Sequence, residues 1–371
     1  MNQLKICVYA ICKNESKFVA AWMNSMGEAD EIIVTDTGST DDTVEKLLKL
    51  GAKVYIEEIS PWRFDEARNI SLSHVPENAD ICVCTDLDEL FEPGWRKALE
   101  TAWRNHKPQH EGPIAKTGRY IYNWSLKADG STDVQFYYFK VHERQGFQWK
   151  CPIHEYVDYV GTAPLETVYI SGMVLNHYPD AAKSRGSYLP LLEMAVEESP
   201  EDTRMRYYLG REYMYQGQWQ KSIDTLSLYL SMPKAIWNEE RCAAMRWIAQ
   251  SFHQMGNVKQ AYGWYFRAVA EAPHMRDPYI EFAKLCFAQE DWPMTYYMTK
   301  EALKIEEKSK TFVNMGYAWD ATPNDLCAIA AYHLGMMGEA LRHAQLALET
   351  DPQNERLQKN LHIIEGAQKN K

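Results

Sequence analysis

The chain changes rhythm halfway along, and that change constrains its architecture more than any other feature. Over the first 90 residues short apolar runs alternate with amphipathic segments; beyond about residue 180 helical periodicity alone continues. Apolar runs at 5–11, 31–35, 53–56 and 80–85 predict four strands. Between the first two, Val19, Trp22, Met23 and Met26 recur at spacings of three and four, the mark of one buried helical face. Ser39 is placed to cap the next helix, with Asp42 in its electropositive first turn. That helix buries Val44, Leu47 and Leu48 and stops at Gly51. Strand, helix, strand, helix, strand predicts a parallel sheet covered on both faces. Such sheets bind ligands beyond the carboxyl ends of their strands. Asn14 with Glu15, Asp36 with Thr37, and Asp86 with Asp88 follow three of these strands and should therefore meet along one edge. Residues 100–180, rich in Tyr, Trp and His with alternating runs such as 134–141, read as antiparallel strands completing the same sheet.

The second half contains four helix-turn-helix segments with small residues at fixed positions. They run through Leu209-Gly210-x-x-Tyr213, Ile248-Ala249-x-x-Phe252, Phe282-Ala283-x-x-Cys286 and Cys327-Ala328-x-x-Ala331. Small or apolar residues of the second helices follow, such as Leu226, Ala268, Ala302 and Ala344. This pattern resembles the tetratricopeptide repeat, whose period is about 34 residues. The small position recurs at 210, 249, 283 and 328, spacings of 39, 34 and 45, so residues are inserted between helices. A last helix over 355–365 should cap the stack, because an open solenoid end exposes apolar surface.

At 371 residues two domains are expected, 1–182 and 183–371. The net charge of −11 gives no overall attraction for nucleic-acid phosphate, so DNA and RNA are unlikely partners. Eight scattered cysteines without a Cys-x-x-Cys pair read as reduced, buried thiols, which suits the cytoplasm. The apolar stretch 6–12 is short and runs into Lys13-Asn14-Glu15, unlike an export signal. No run approaches the roughly 20 apolar residues of a membrane span. A soluble cytoplasmic protein is expected, with only the polar tail 368–371 reading as disordered.

The chemistry concentrates in Ile81-Cys82-Val83-Cys84-Thr85-Asp86-Leu87-Asp88-Glu89-Leu90, where an apolar strand delivers two carboxylates one residue apart. On an extended chain residues i and i+2 point the same way, so both carboxylates would face one ligand. Hard divalent cations take carboxylate oxygens and keep substrate phosphate oxygens as further ligands. The triplet taken alone also reads as a solvated turn before a helix at Pro93.

The segments Ala10-Ile-Cys-Lys-Asn-Glu15, Glu31-Ile-Ile-Val-Thr-Asp-Thr-Gly-Ser-Thr-Asp-Asp-Thr43, Ala67-Arg-Asn69 and Asp86-Leu-Asp88 occur in that order. Together they closely resemble the family 2 glycosyltransferases, which have the GT-A fold, a Rossmann-like α/β nucleotide-sugar-binding domain. Ile153-His154-Glu155 and Asn176-His177-Tyr178 resemble later motifs of a subgroup that also carries C-terminal helical repeats. Some members of that subgroup glycosylate cysteines of bacteriocin peptides; others act on glycans. The resemblance implies an α/β GT-A domain followed by an all-α TPR-like domain. It implies an inverting transfer from a nucleoside diphosphate sugar, UDP being the common donor, assisted by Mn²⁺ or Mg²⁺.

The same resemblance distributes the roles. Asp36 would bond the base, and the backbone near Ala10, with Asn14 and Glu15, would line the nucleoside pocket. Arg68 would lie against base or phosphates. Asp86 would meet ribose or metal, Asp88 would be the principal metal ligand, and His177 would complete the metal site. Glu155 stands where the acceptor base is expected, with His154 competing for that role. Each has a plainer reading. Asp36 in Asp-Thr-Gly-Ser is strong turn chemistry, Arg68 could pair with Asp65 or Glu66 on a helix surface, and His177 could be structural. Trp62, Trp124 and Trp149 could stack on sugars or simply fill the core.

The repeats would grip a peptide, protein or glycan acceptor, or else mediate homo-oligomerisation. Two other classes compete: a repeat scaffold fused to a non-catalytic nucleotide-binding domain, and sugar transfer to modified DNA.

Overall fold

The computed structural model describes residues 3–127, 129–180, 186 and 188–369. By contacts the chain divides after Ser199 into two compact units. The expected boundary at 182/183 lies outside the described residues, as do the last two residues of the expected polar tail.

The first unit opens with the expected alternation. Strand β1 (Ile6–Cys12) leads to α1 (Val19–Met26), β2 (Glu31–Asp36), α2 (Thr43–Lys49), β3 (Lys53–Ile56), α3 (Phe64–Ser73) and β4 (Ile81–Cys84). Every residue of β1 is buried, because the sheet is covered on both faces at its centre. Helix α1 buries Val19, Trp22, Met23 and Met26, the face its spacing predicts. The start of α2 differs from expectation. Its first residue is Thr43, and Ser39 caps nothing, because the Gly38 and Ser39 amides both donate to Asp36 Oδ1 (3.0 and 2.9 Å). The Asp-Thr-Gly-Ser turn has used Ser39, and Gly38 adopts the positive φ (+99°) that such a turn demands.

The unit continues through β5 (Glu89–Phe91), α4 (Trp95–Asn105), β6 (Ala115–Leu126), β7 (Thr132–His142), β8 (Phe147–Lys150), β9 (Tyr156–Tyr159), β10 (Leu165–His177) and α5 (Tyr188–Glu198). The main sheet has eight strands in the order β3-β2-β1-β4-β7-β6-β10-β5, and β8 pairs with β9 separately. Strands β3, β2, β1 and β4 are mutually parallel; β7 runs antiparallel between β4 and β6, and β5 runs antiparallel to β10. The predicted completion of the sheet is present, but of the strands from 100–180 only β7 runs antiparallel to the first four; β6 and β10 pair in parallel and share the direction of β1–β4. Its consequence is that the carboxyl ends of β1, β2, β4, β6 and β10 lie along one edge.

Among its described residues the second unit is helical, apart from turns and one long loop. Four pairs follow in order: α6 (Thr203–Tyr215) with α7 (Trp219–Ser231), α8 (Asn238–Gln254) with α9 (Val258–Glu271), α10 (Asp277–Ala288) with α11 (Trp292–Leu303), and α12 (Thr322–His333) with α13 (Met337–Thr350). Helix α14 (Glu355–Lys369) packs on α13 and buries Leu357 and Ile364, the predicted cap, four residues longer than expected. The small positions explain themselves sterically. A Cβ on Gly210 would lie 2.5 Å from Leu226 Cγ of the paired helix, and Ala249, Ala283 and Ala328 are likewise buried. At Gly210 the paired helices approach too closely for a larger side chain. First helices also approach one another along the stack (α6 with α8, α8 with α10, α10 with α12), whereas second helices do so less, which places the first helices on the inner face of the curve.

Among the described residues no helix is long and apolar enough to cross a membrane.

Candidate functional site

The parallel register sets Cys12 of β1 beside Asp36 of β2, and Tyr9 of β1 beside Cys84 of β4. The loops leaving these strands therefore share one edge, and the polar residues expected there are brought to it. Asn14 takes a left-handed backbone (φ 55°), and its Oδ1 accepts from the Thr40 amide at 2.7 Å. Its own amide donates to Ser39 Oγ, and the Glu15 amide donates to Thr43 Oγ1. The loop after β1 is thus stapled to the turn after β2. Asp36 is buried, with Oδ1 closing the Gly38–Ser39 turn and Oδ2 accepting from the Cys12 thiol at 3.4 Å. Turn chemistry and a place on the edge are therefore combined in one carboxylate. Ala10 is fully buried mid-strand and its carbonyl accepts from Ser71 Oγ, so it shapes the floor through the backbone alone.

Arg68, on α3, is 4% exposed and bridges two carboxylates: Nη2 donates to Asp86 Oδ1 and Nε to Glu155 Oε1, each at 2.6 Å. Trp149 lies beneath it, 5.0 Å from the guanidinium, and is held by its indole bond to Tyr9 Oη. Arg63, not Arg68, takes Asp65, so the surface-pair reading of Arg68 does not apply. The guanidinium fixes Asp86 and Glu155 relative to one another. Glu155 sits in the loop 151–155 between β8 and β9, anchored by buried Ile153 and by the Phe64 amide on the Pro152 carbonyl. His154, at φ 50°, turns its ring edge to Tyr188 at 5.9 Å.

The Asp86-Leu87-Asp88 triplet departs from the extended geometry expected of it. The Glu89 amide donates to the Asp86 carbonyl (3.1 Å), so the segment is a turn and the i, i+2 alternation no longer holds. Leu87 is fully buried, and the two carboxylates meet different partners. Asp86 is gripped by Arg68 on Oδ1 and by Lys140 on Oδ2 (3.2 Å). Burial alone would raise its pKa, but the Arg68 and Lys140 charges outweigh burial and hold the carboxyl well below the usual range. Asp88 instead faces His177, with Nε2 3.8 Å from Oδ2. The His177 Nδ1 lies 3.0 Å from the Trp124 carbonyl, which can only accept, so Nδ1 carries the proton and Nε2 points at Asp88. Burial on its own favours the neutral ring; Asp88 and the carbonyl outweigh it and raise the His177 pKa above its ordinary value.

Sequence reasoning missed Lys140 and Glu89. Lys140 is 6% exposed, between Asp86 and Glu89, and Glu89 also accepts from Tyr122 Oη (2.7 Å) and from the Asp86 amide. Burial and the adjacent Asp86 charge push the Glu89 pKa up. The signal lay in the alternation Tyr138, Lys140, His142, polar groups at inward positions of an apolar strand. Of the three tryptophans, Trp149 belongs to the core, Trp62 packs edge-on against Phe64, and Trp124 is half exposed and stacked on His177 at 4.7 Å.

Among the described residues no three His, Cys, Asp or Glu side chains form a group ready to hold a metal. Two do fit a cation that completes its shell with phosphate oxygens and water: Asp88, and His177 with its tautomer fixed by a backbone carbonyl as metal-binding histidines usually are. Asp86 fits poorly, since both its oxygens already face cationic side chains.

Residues 7–158 match the family model described as glycosyl transferase family 2. An uncharacterized glycosyltransferase of Rickettsia conorii is 52% identical over 59 residues, 16% of this chain and 20% of the relative. One from Rickettsia felis is 46% identical over 59 residues, with the same shares. The chain thus spans about a fifth of the length of the curated relatives it matches. Among solved structures, a tetratricopeptide repeat protein from Parabacteroides merdae aligns with 48% of this chain and 64% of its own, at 16% identity and a TM-score of 0.37. A thermophilic TPR protein of Thermus thermophilus covers 47% of this chain and 88% of its own, at 17% identity and a TM-score of 0.33. Likeness of that size adds nothing to the helix pairing described above.

Proposed function

We propose that this chain is an inverting, metal-dependent glycosyltransferase that moves a sugar from a nucleoside diphosphate donor, UDP being the first candidate, to an acceptor. The observation that carries this reading is the shared edge. Asn14, Glu15, Asp36, Asp86 and Asp88 follow three parallel strands there, with the Arg68–Glu155 pair and His177 alongside, in a segment that matches the family 2 model.

The loop after β1 and the buried Asp36 receive the nucleoside. Asp88 and His177 would hold Mn²⁺ or Mg²⁺ there, and Asp86, fixed by Arg68 and Lys140, would face the ribose. The cation supplies Lewis-acid stabilisation to the leaving diphosphate. Glu155 is the acceptor base: Arg68 ties it to Asp86, placing it beside the donor site, whereas the ring of His154 turns to Tyr188. A base within hydrogen-bond reach is required because the acceptor must shed a proton as it attacks the anomeric carbon. Trp124, exposed beside His177, offers a face for a sugar ring. The acceptor is a peptide or protein side chain, as in the bacteriocin subgroup, or a glycan. Eight cysteines without a disulfide suit action in the cytoplasm.

A thermal-shift screen of nucleotide sugars with and without Mn²⁺ tests the reading. A ligand held about 100-fold above its Kd stabilises by roughly 2.7 kcal/mol, so the matching donor should raise Tm by about 5–10 °C. The Mn²⁺ increment should also depend on pH. A histidine raised above its unfolded value of 6.5 stabilises the cation-free fold below that pH and loses this as pH rises through the raised value. Proton and cation compete for Nε2, so the increment should be large at pH 8 and shrink at pH 6. Shifts indifferent to Mn²⁺ at both pH values, for every donor, would remove Asp88 and His177 as cation ligands.

A further inference from the structure

The excess residues between the third and fourth repeats form the loop 304–321, and this loop runs along the inner face of the first helices. Side chains of that face hold its main chain at three points. The Ile305 carbonyl accepts from Arg276 Nε (2.7 Å), the Val313 carbonyl from Arg246 Nη2 (3.0 Å), and the Met315 amide donates to Asp277 Oδ1 (2.5 Å). Its aromatic side chains seat on the same helices. Phe312 packs edge-on against Trp237 (5.2 Å) and stacks by Tyr208 of α6 (6.3 Å). Tyr317 donates to Glu281 of α10 (2.6 Å) beneath Lys284, and Trp319 lies under Arg276 at 4.1 Å. The residues doing the holding are themselves prearranged: Arg246 and Asp277, on α8 and α10, are 1% and 0% exposed and face each other at 3.4 Å.

The segment is not extended: it turns at Phe312–Val313 and makes one turn of 3-10 helix at Gly316–Ala318. Main-chain bonds that give grip and side-chain pockets that give selectivity are nevertheless the way proteins hold a peptide segment. The inner face of a helical repeat stack is the surface such proteins offer for that purpose. Here both are satisfied from within the chain. We propose that residues 305–320 are a built-in peptide ligand of the repeat unit, and that its inner face takes a partner segment with aromatic side chains spaced five and two residues apart, like Phe312, Tyr317 and Trp319, in place of this strap. The strap and a partner then compete for one surface, and the repeat unit binds its partner only when the strap leaves. The inference stands on contacts within the second unit and does not depend on the glycosyltransferase reading.

The test uses the full chain and a labelled synthetic peptide of residues 305–320, followed by fluorescence anisotropy. In one variant residues 307–318 are replaced by a Gly/Ser segment of equal length. This variant should bind the peptide at least about tenfold more tightly than the unmodified chain, and a scrambled peptide should not bind. A folded variant, melting cooperatively, that binds the peptide no better than the unmodified chain would overturn the proposal. Should the replacement unfold the repeats, the milder Phe312→Ala/Tyr317→Phe double variant takes its place. It should expose the Met315 amide to hydrogen exchange at least about tenfold faster and acquire binding of the peptide. Retained protection, or exposure without binding, would equally overturn it.

Discussion

Asp88→Asn is expected to weaken cation-dependent binding of a nucleoside diphosphate at least about 100-fold while leaving the fold intact. Loss of a partner one shell removed from a metal typically costs 10–100-fold, and a direct ligand should cost no less. The fold should survive because Asn keeps the backbone contact of this position, whose carbonyl accepts from the Tyr178 amide at 2.8 Å, and is close to Asp in size. Asn keeps the shape and removes the charge, so cation-free binding of the nucleotide should change little. Titration calorimetry with Mn²⁺ and with EDTA separates the two terms. Asp86→Asn should behave differently. Its oxygens face Arg68 and Lys140, and removing the carboxylate leaves two buried cations sharing fewer anions. Its effect should therefore appear in stability as well as in binding.

The largest stability effect is expected in the other unit. Arg246→Met should lower the unfolding free energy of the repeat unit by about 3–5 kcal/mol, because it strands a carboxylate in the interior. Asp277 is completely buried, its charge opposed by burial and compensated by Arg246. Glu281, 10% exposed, shares the same guanidinium at 3.0 Å. Typical total stabilities are about 5–15 kcal/mol, so a loss of this size should bring the unit close to unfolding at 37 °C. The double variant Arg246→Met/Asp277→Asn should recover part of the loss by removing the stranded charge. Denaturant titration followed by far-ultraviolet circular dichroism reads both. A single variant costing under 1 kcal/mol would mean that the pair is not buried as described.

Much of the shared sheet edge was legible in the sequence because local signals carry it. Apolar runs marked β1 to β4, the spacing of Val19, Trp22, Met23 and Met26 marked the buried face of α1, and strand ends placed Asp36 and Asp86 on one edge. Ser39 misled because two rules compete for it: it suits a helix cap, but Asp36 two and three residues earlier captures the Gly38 and Ser39 amides first. The parting of Asp86 from Asp88 was hidden because alternation holds only for extended chain, and Glu89 closes a turn there. Lys140 reaches Asp86 only through the pairing of β7 with β4, a register that no local pattern specifies. The strap was half legible. The spacing of 45 residues announced an insertion, but its contacts with α8 and α10 join residues 36 to 67 positions apart. Where an inserted loop comes to rest depends on the curvature of the finished stack, and that curvature is a property of packing.

Donor turnover tests the central claim most directly: release of nucleoside diphosphate from a panel of sugar donors by the full chain, followed over time with Mn²⁺ and with EDTA. At least one donor should be turned over, only with the cation. Asp88→Asn should abolish that turnover, and Glu155→Gln should slow it by about 10²–10⁴ while still binding the donor, as expected when a general base is removed. Turnover that persists in EDTA, or that survives intact in both variants, would contradict the assignment of these residues. No turnover of any donor that demonstrably binds would favour a nucleotide-binding scaffold.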